Sequence, residues 1–319
     1  RPTPGAAALH CIPPSPHGCN MIEPRTITRR ALGLLPLAAS ALGLSAPAHA
    51  ASKSSAPPTR GYAQAPFGLI HYRDTGKGRP LILMHQAPMS SQQYNTVYPL
   101  FAAAGVRAIG IDSPGYGNSD PTTLAPTGEE WARIVPAVMD HLGIKQADIA
   151  GHHTGSTVAL AAAVRYPERI KSLTMHAALL VTEEERTKRK HDASKPEPNP
   201  YKPDGSHLTD AYMSRFKMYG AGADPALITR YTVERFQATG VSWHAHEVAY
   251  QYDSGAALKK IKTRTQVIGN SGDMIIDITR KIKELRPDIK YVEIPGGGVD
   301  ITDQSPQAWV DAIVSFMQA

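Results

Sequence analysis

The stretch Gln146–Ile170, QADIAGHHTGSTVALAAAVRYPERI, decides how the chain folds. Ala147 to Ala150 reads as a buried strand, and Thr157 to Tyr166 as an Ala-rich helix ended before Pro167. Between them lies Gly151-His152-His153-Thr154-Gly155. In a Gly-x-x-x-Gly frame of this kind the middle residue sits on a sharp strand-to-helix turn, and the small flanking residues let strand and helix approach closely. Such a turn displays a nucleophile, commonly Ser and sometimes Asp or Cys. Here it displays His153.

Outward from that turn, strand and helix signals alternate. Leu69 to Tyr72, Leu81 to His85, Val106 to Asp112 and Ile170 to His176 read as strands, and Trp131 to Leu142 as an amphipathic helix stopped by Gly143. The alternation predicts an α/β chain with a doubly wound, mostly parallel sheet. After the sixth strand the rhythm breaks. Residues 179–240 are polar, with KPEPNPYKPDG at 195–205 and helical patches at Leu208 to Tyr219 and Pro225 to Gln237, and read as an inserted helical lid. Alternation resumes at Thr265 to Ile268 and Tyr291 to Ile294, and Pro306 to Met317 is the closing helix. The core is therefore expected in two parts, 51–178 and 241–319, around a lid at 179–240.

The first 50 residues read as processing signals. Met21 opens MIEPRTITRRALGLLPLAASALGLSAPAHA, with Arg25, Arg29 and Arg30 ahead of a short apolar run, Ala31 to Leu44, and an A-x-A site at Ala48-His49-Ala50. Thr28 to Leu32 looks like a twin-arginine signal, which predicts a bacterial protein exported to the periplasm or beyond and cut after Ala50. The run is too short to span a bilayer comfortably, so no stable membrane anchor is expected. Residues 1–20 read as an upstream extension and hold both cysteines, so the mature chain would have no disulfide or thiolate nucleophile. The net charge of +6 is mild, and the basic run Arg186 to Lys190 follows three glutamates on what reads as a solvated helix end. No nucleic-acid motif accompanies it.

Four segments carry a family resemblance. They are Leu81 to Pro88 with Ser91 and Tyr94; the turn Asp112-Ser113-Pro114-Gly115-Tyr116-Gly117-Asn118-Ser119; the Gly151–Gly155 frame; and Val267 to Asp273 followed by Tyr291 to Pro306. In this order, from Gly61 to Ala319, the chain resembles the α/β-hydrolase superfamily, especially the capped branch of epoxide hydrolases, haloalkane dehalogenases and C–C bond hydrolases. The resemblance implies an acid at Asp273 and an oxyanion site built from the Ala87 and Thr154 amides, with Gln86 in place of a glycine. It also implies a histidine base seven residues before Pro306. That position holds Val299, and the neighbouring Asp300 cannot serve as a neutral base. Two of the three catalytic positions are thus altered, leaving Asp273 without its usual partner.

An imidazole at the turn can itself be a base on water or a nucleophile, since its ordinary pKa lies near neutrality. The expected site is therefore His153 and Asp273 as catalytic residues, with Gln86, Ala87, Thr154, Ser91, His176 and Trp243 around a small-molecule substrate. Tyr201, Tyr212, Phe216 and Tyr219 are expected as apolar walls, and Ser156 as a packing residue. No H-E-x-x-H or comparable spacing calls for a metal, and nothing calls for a cofactor. Three readings follow: a hydrolase of a small apolar carbonyl compound (ester, lactone or C–C bond); a non-catalytic binding member of the fold; and a metal-dependent hydrolase with histidines and Asp273 or Glu247 as ligands.

Overall fold

The computed structural model describes residues 58–122, 126–192, 201–219, 223–241 and 243–319. The leader and both cysteines lie outside these. The strands are β1 Thr59–Ala65, β2 Gly68–Thr75, β3 Arg79–Met84, β4 Val106–Ile111, β5 Ala147–His152, β6 Ile170–His176, β7 Arg264–Asn270 and β8 Lys290–Ile294. They form one sheet in the order β1-β2-β4-β3-β5-β6-β7-β8. β1 and β2 are antiparallel to their neighbours, and every pair from β4 to β8 is parallel. β3 lies between β4 and β5, so successive crossovers leave it in opposite directions. The crevice at the carboxyl ends of β3 and β5 is where such a sheet binds ligands.

The helices are α1 Tyr98–Ala103, α2 Gly128–Trp131, α3 Ile134–His141, α4 Thr154–Arg165, α5 Glu183–Arg189, α6 Ser206–Tyr219, α7 Pro225–Gln237, α8 His244–Gln251, α9 Ser254–Lys260, α10 Ile276–Leu285, α11 Ile301–Gln304 and α12 Pro306–Gln318. Among the described residues no helix is long and apolar enough to cross a membrane. Two apolar clusters form the core. Ile82, Ile149, Val158 and Trp131 belong to one, and Leu83, Phe101, Trp309 and Ile313 to the other.

Two expectations need correction. The stretch Trp131 to Leu142 is not one helix. Pro136 has no N–H to give the Ala132 carbonyl, so the chain breaks at Ala132-Arg133 and restarts as α3 with the proline in its first turn. The sequence also hid β1, which pairs with β2 through a two-residue turn closed by Gly68 at φ 128°. Most β1 residues are exposed or half-exposed, so its apolar alternation is weak.

The segment between β6 and β7 carries α5 to α9. α6 and α7 pack on each other, and α8 packs on α4 and α5.

Candidate active site

The turn at His153 is built by its glycines. A Cβ on Gly151 would lie 2.1 Å from the Gly155 carbonyl oxygen, and one on Gly155 would lie 1.9 Å from that of Met84. No side chain fits either gap, so β3, β5 and the start of α4 meet backbone to backbone. His153 itself has φ 49° and ψ −117°, a conformation that costs a non-glycine residue about 1–3 kcal/mol. The turn holds it there. The His153 amide donates to the His176 carbonyl at 3.0 Å, and its own carbonyl accepts from the Ser156 amide at 2.8 Å. The buried Ser156 hydroxyl lies between the Gly151 and His176 carbonyl oxygens, at 2.8 and 2.6 Å.

Asp273 follows β7 on a turn and is itself buried. Its Oδ1 accepts the Ile275 amide at 2.9 Å. Its Oδ2 lies 2.8 Å from His153 Nε2. The partner of Asp273 is thus the turn histidine. Burial would raise the Asp273 pKa, but the hydrogen bond and charge of His153, with the Ile275 amide, outweigh it and hold the carboxyl below its ordinary value. An ionised Asp273 accepts Nε2–H and leaves Nδ1 as the basic nitrogen. Nδ1 has no protein partner among the described residues.

His153 lines a cavity of about 730 Å³. Gln86, Ala87, Thr154 and Trp243 line it as well, so these expected residues do converge with His153. Ser91 and His176 do not reach it. The Ser91 amide donates to the buried Asp112 at 2.6 Å, and its carbonyl accepts the Tyr98 hydroxyl. His176 lies behind the turn. It accepts from Trp309 Nε1 at Nδ1 and donates from Nε2 to Asn270 Oδ1, while its ring stacks on His152 with centroids 4.6 Å apart. Burial lowers the His176 pKa to about 4. Of the expected walls, Tyr201 lines the cavity but Tyr212, Phe216 and Tyr219 do not.

Sequence reasoning did not find Arg215, Tyr231, Arg235 and Phe236, which also line the cavity, as does His246. Tyr231 and Arg235 are four apart on α7, the spacing of one helix face, but nothing in the pattern says what that face meets. Val299 lines the cavity too. The Asp300 side chain is turned elsewhere. Its Oδ1 accepts Gln86 Nε2 at 2.8 Å and Arg215 Nη2 at 2.6 Å, and its Oδ2 accepts the Tyr219 hydroxyl. The Gln86 amide group, a candidate donor to substrate, is therefore engaged.

One set of side chains has the spacing of a metal site. Ligand atoms of His152, His153 and Asp273 all lie within 4.8 Å of one another. The hydrogen bonds assign His152 another state. The Gln86 amide donates to Gln93 Oε1 at 3.0 Å, so Gln93 presents its Nε2 to His152 Nδ1. His152 then carries its proton on Nε2 and offers no lone pair there. Coordination by all three residues needs the Gln86–Gln93–His152 chain to be broken first.

The family model for the alpha/beta hydrolase fold matches residues 79–303. The chain belongs to that family. Among curated proteins it is similar to a 2-hydroxy-6-oxononadienedioate/2-hydroxy-6-oxononatrienedioate hydrolase of Paraburkholderia phymatum, 36% identical over 111 residues, which are 33% of this chain and 38% of that protein. It is also similar to a 2-hydroxy-6-oxo-6-phenylhexa-2,4-dienoate hydrolase of Comamonas testosteroni, 37% identical over 112 residues, 34% of this chain and 39% of that one. The match thus spans under two fifths of these relatives' length. Among solved structures, a thermophilic esterase from Thermogutta terrifontis superposes with a TM-score of 0.67 at 21% identity, covering 82% of this chain and 98% of that one. An enol-lactonase from Burkholderia xenovorans gives 0.67 at 17% identity, covering 81% and 100%. At such identities these superpositions show the shared fold.

Proposed function

We propose that this alpha/beta hydrolase family member hydrolyses a small carbonyl compound, with His153 as general base and Asp273 as its orienting acid. The observation that carries the reading is the 2.8 Å contact between His153 Nε2 and Asp273 Oδ2 on the turn that faces the cavity. Asp273 holds the Nε2–H tautomer, so Nδ1 takes a proton from water as the water attacks the substrate carbonyl carbon. Ala87 and Thr154 line the cavity with His153, and their amides would receive the oxyanion. When the tetrahedral intermediate collapses, Nδ1 returns its proton to the leaving group. The products are an acid and the leaving alcohol, enol or carbon fragment, and the imidazole ends neutral.

The cavity lining suggests the substrate. Tyr116, Tyr231, Phe236, Trp243 and Tyr250 supply aromatic faces, and Arg235 supplies a cation, while no Asp or Glu lines the wall among the described residues. An unsaturated or aromatic carbonyl compound with a carboxylate suits that lining. The curated relatives are named for dienoates of this kind. We further propose that the leader exports the protein and is cut after Ala50; an intact mass that begins before Ala51 in the periplasmic fraction would count against this.

The test is a turnover screen of aryl esters, enol lactones and 6-oxo-dienoates with the wild type and His153→Ala. A positioned base contributes about 10²–10⁴-fold, and a loss of that size in kcat is expected for the variant. Equal turnover by the two proteins would remove His153 from the mechanism. Val299 at the usual base position motivates a second reading, a binding protein. It predicts tight binding of such ligands, unchanged by His153→Ala, with no turnover by the wild type.

A further inference from the structure

The loop after β3 gives up its hydrogen-bonding groups one by one. The Gln86 amide donates to Gln93 Oε1, the Met89 amide to the Gln86 carbonyl, and the Ser91 amide to Asp112. The Ser90 amide and hydroxyl both donate to Glu234 Oε2, at 2.9 and 2.7 Å. Pro88 has no N–H. The Ala87 amide is the one left over: it has no partner among the described residues, and Ala87 lines the cavity. From Gln86 to Ser91, every amide but the one that an oxyanion would use is thus spent within the protein.

Glu234, and the bond from the Gln86 side chain to Asp300, tie the loop to the segment inserted between β6 and β7. Glu234 belongs to α7 and is 3% exposed. Asp300, holding the Gln86 side chain, is bonded in turn to Arg215 and Tyr219 of α6. The packed pair α6–α7 therefore grips the loop at both ends, at Gln86 through Asp300 and at Ser90 through Glu234. Glu234 uses Oε2 for both Ser90 bonds, and its Oε1 faces only the Arg230 guanidinium at 3.6 Å. Arg230 is itself held by Asp303, at 2.5 Å.

We propose that Glu234 is a positioning residue for the reaction: it fixes the loop from Gln86 to Ser91 so that the Ala87 amide is presented to the cavity only while α7 is seated. Seating of the inserted helices and assembly of the oxyanion site are then one event. Helix α7 also carries Tyr231 and Arg235 in the cavity wall. A ligand that draws this face inward tightens the loop through Glu234 at the same time.

This inference rests on the hydrolase reading for its catalytic consequence and on hydrogen exchange for its structural one. In Glu234→Ala, amide exchange at Met89, Ser90 and Ser91 should speed by about tenfold or more, with the β3 and β5 amides unchanged. Turnover of p-nitrophenyl acetate should fall about tenfold in kcat with KM within about twofold, because an oxyanion donor acts on the transition state more than on the bound ester. Glu234→Gln keeps an oxygen acceptor for Ser90 and should recover much of both losses. It also serves as the reporter should the alanine variant not fold. Unchanged loop exchange in Glu234→Ala overturns the proposal, as does a loss confined to KM. If the wild type turns over nothing, the hydrolase reading fails, and loop exchange alone decides whether Glu234 is the clamp.

Discussion

Acidification probes the buried imidazoles behind the turn. Trp309 Nε1–H donates to His176 Nδ1 at 3.1 Å, and His176 Nε2 meets Asn270 Oδ1 at 2.9 Å. A proton added to Nδ1 would point at the indole N–H. Burial is the main cause of the drop in His176 pKa from 6.5 to about 4, with the His153 charge acting the same way and Asp273 and Asn270 opposing it. Between these two values the unfolded chain binds the proton and the folded chain does not. Stability therefore rises with pH across this window and is lost on acidification. Integrated down to pH 4, the loss from His176 alone is about 3 kcal/mol, of which about 2 kcal/mol has gone by pH 5. His152 and His85, also lowered by burial, add to it. Glu234 and Asp300 are raised by burial and act in the opposite direction. The quantity to measure is therefore the difference between the wild type and His176→Gln, whose amide can accept from Trp309 and donate to Asn270 without titrating. Urea unfolding followed by Trp fluorescence, repeated through this pH window, should give the variant a curve shallower by up to one proton, about 1.4 kcal/mol per pH unit. Parallel curves would show that His176 is not held neutral and would refute the tautomer assignment.

Three further outcomes are expected. Asp273→Asn offers His153 an amide in place of a carboxylate, which favours the other tautomer; kcat in the turnover screen should fall about 10²-fold or more with KM little changed, and an active variant would show that the tautomer does not matter. A fluorophosphonate should not label the protein, because the Ser156 hydroxyl is committed to carbonyls and that of Ser90 to Glu234; stoichiometric labelling of any serine by mass spectrometry would contradict this. The pair His153→Ser with Val299→His should gain weak hydrolysis of an activated ester. Both positions line the cavity, and the Gly272 amide meets the Gly296 carbonyl at 3.3 Å, which brings the acid's loop against that of residue 299. A folded double mutant no better than either single one would mean that an imidazole at position 299 cannot bridge the introduced hydroxyl to Asp273.

The fold was legible where local chemistry decides it. β6 and α7 begin and end where a Pro, a cap or a change of period placed them, Ile170 to His176 and Pro225 to Gln237. The Gly-x-x-x-Gly frame announced a backbone contact that only glycine permits. What stayed hidden depends on direction or on distance along the chain. Ser91 follows the loop after β3 and His176 ends the strand beside the turn, but their polar groups point into the core, at Asp112 and at Asn270 with Trp309. Arg215 meets Asp300 across 85 residues, and Glu234 meets Ser90 across 144, contacts that no periodicity encodes. Asp273 looked orphaned because its usual partner was sought at position 299, whereas the strained backbone at residue 153 lets the turn histidine reach it.

That strain has a bearing on how the protein should be engineered. Residue 153 keeps its unfavourable backbone only because its neighbours impose it, and glycine is the residue that adopts a positive φ without penalty. The sturdiest form of this turn is therefore one stripped of its imidazole. A library ranked by heat resistance will drift toward glycine at the tip and arrive at a durable, inert scaffold. Selection for turnover has to run alongside, with new rigidity sought away from residues 151–155.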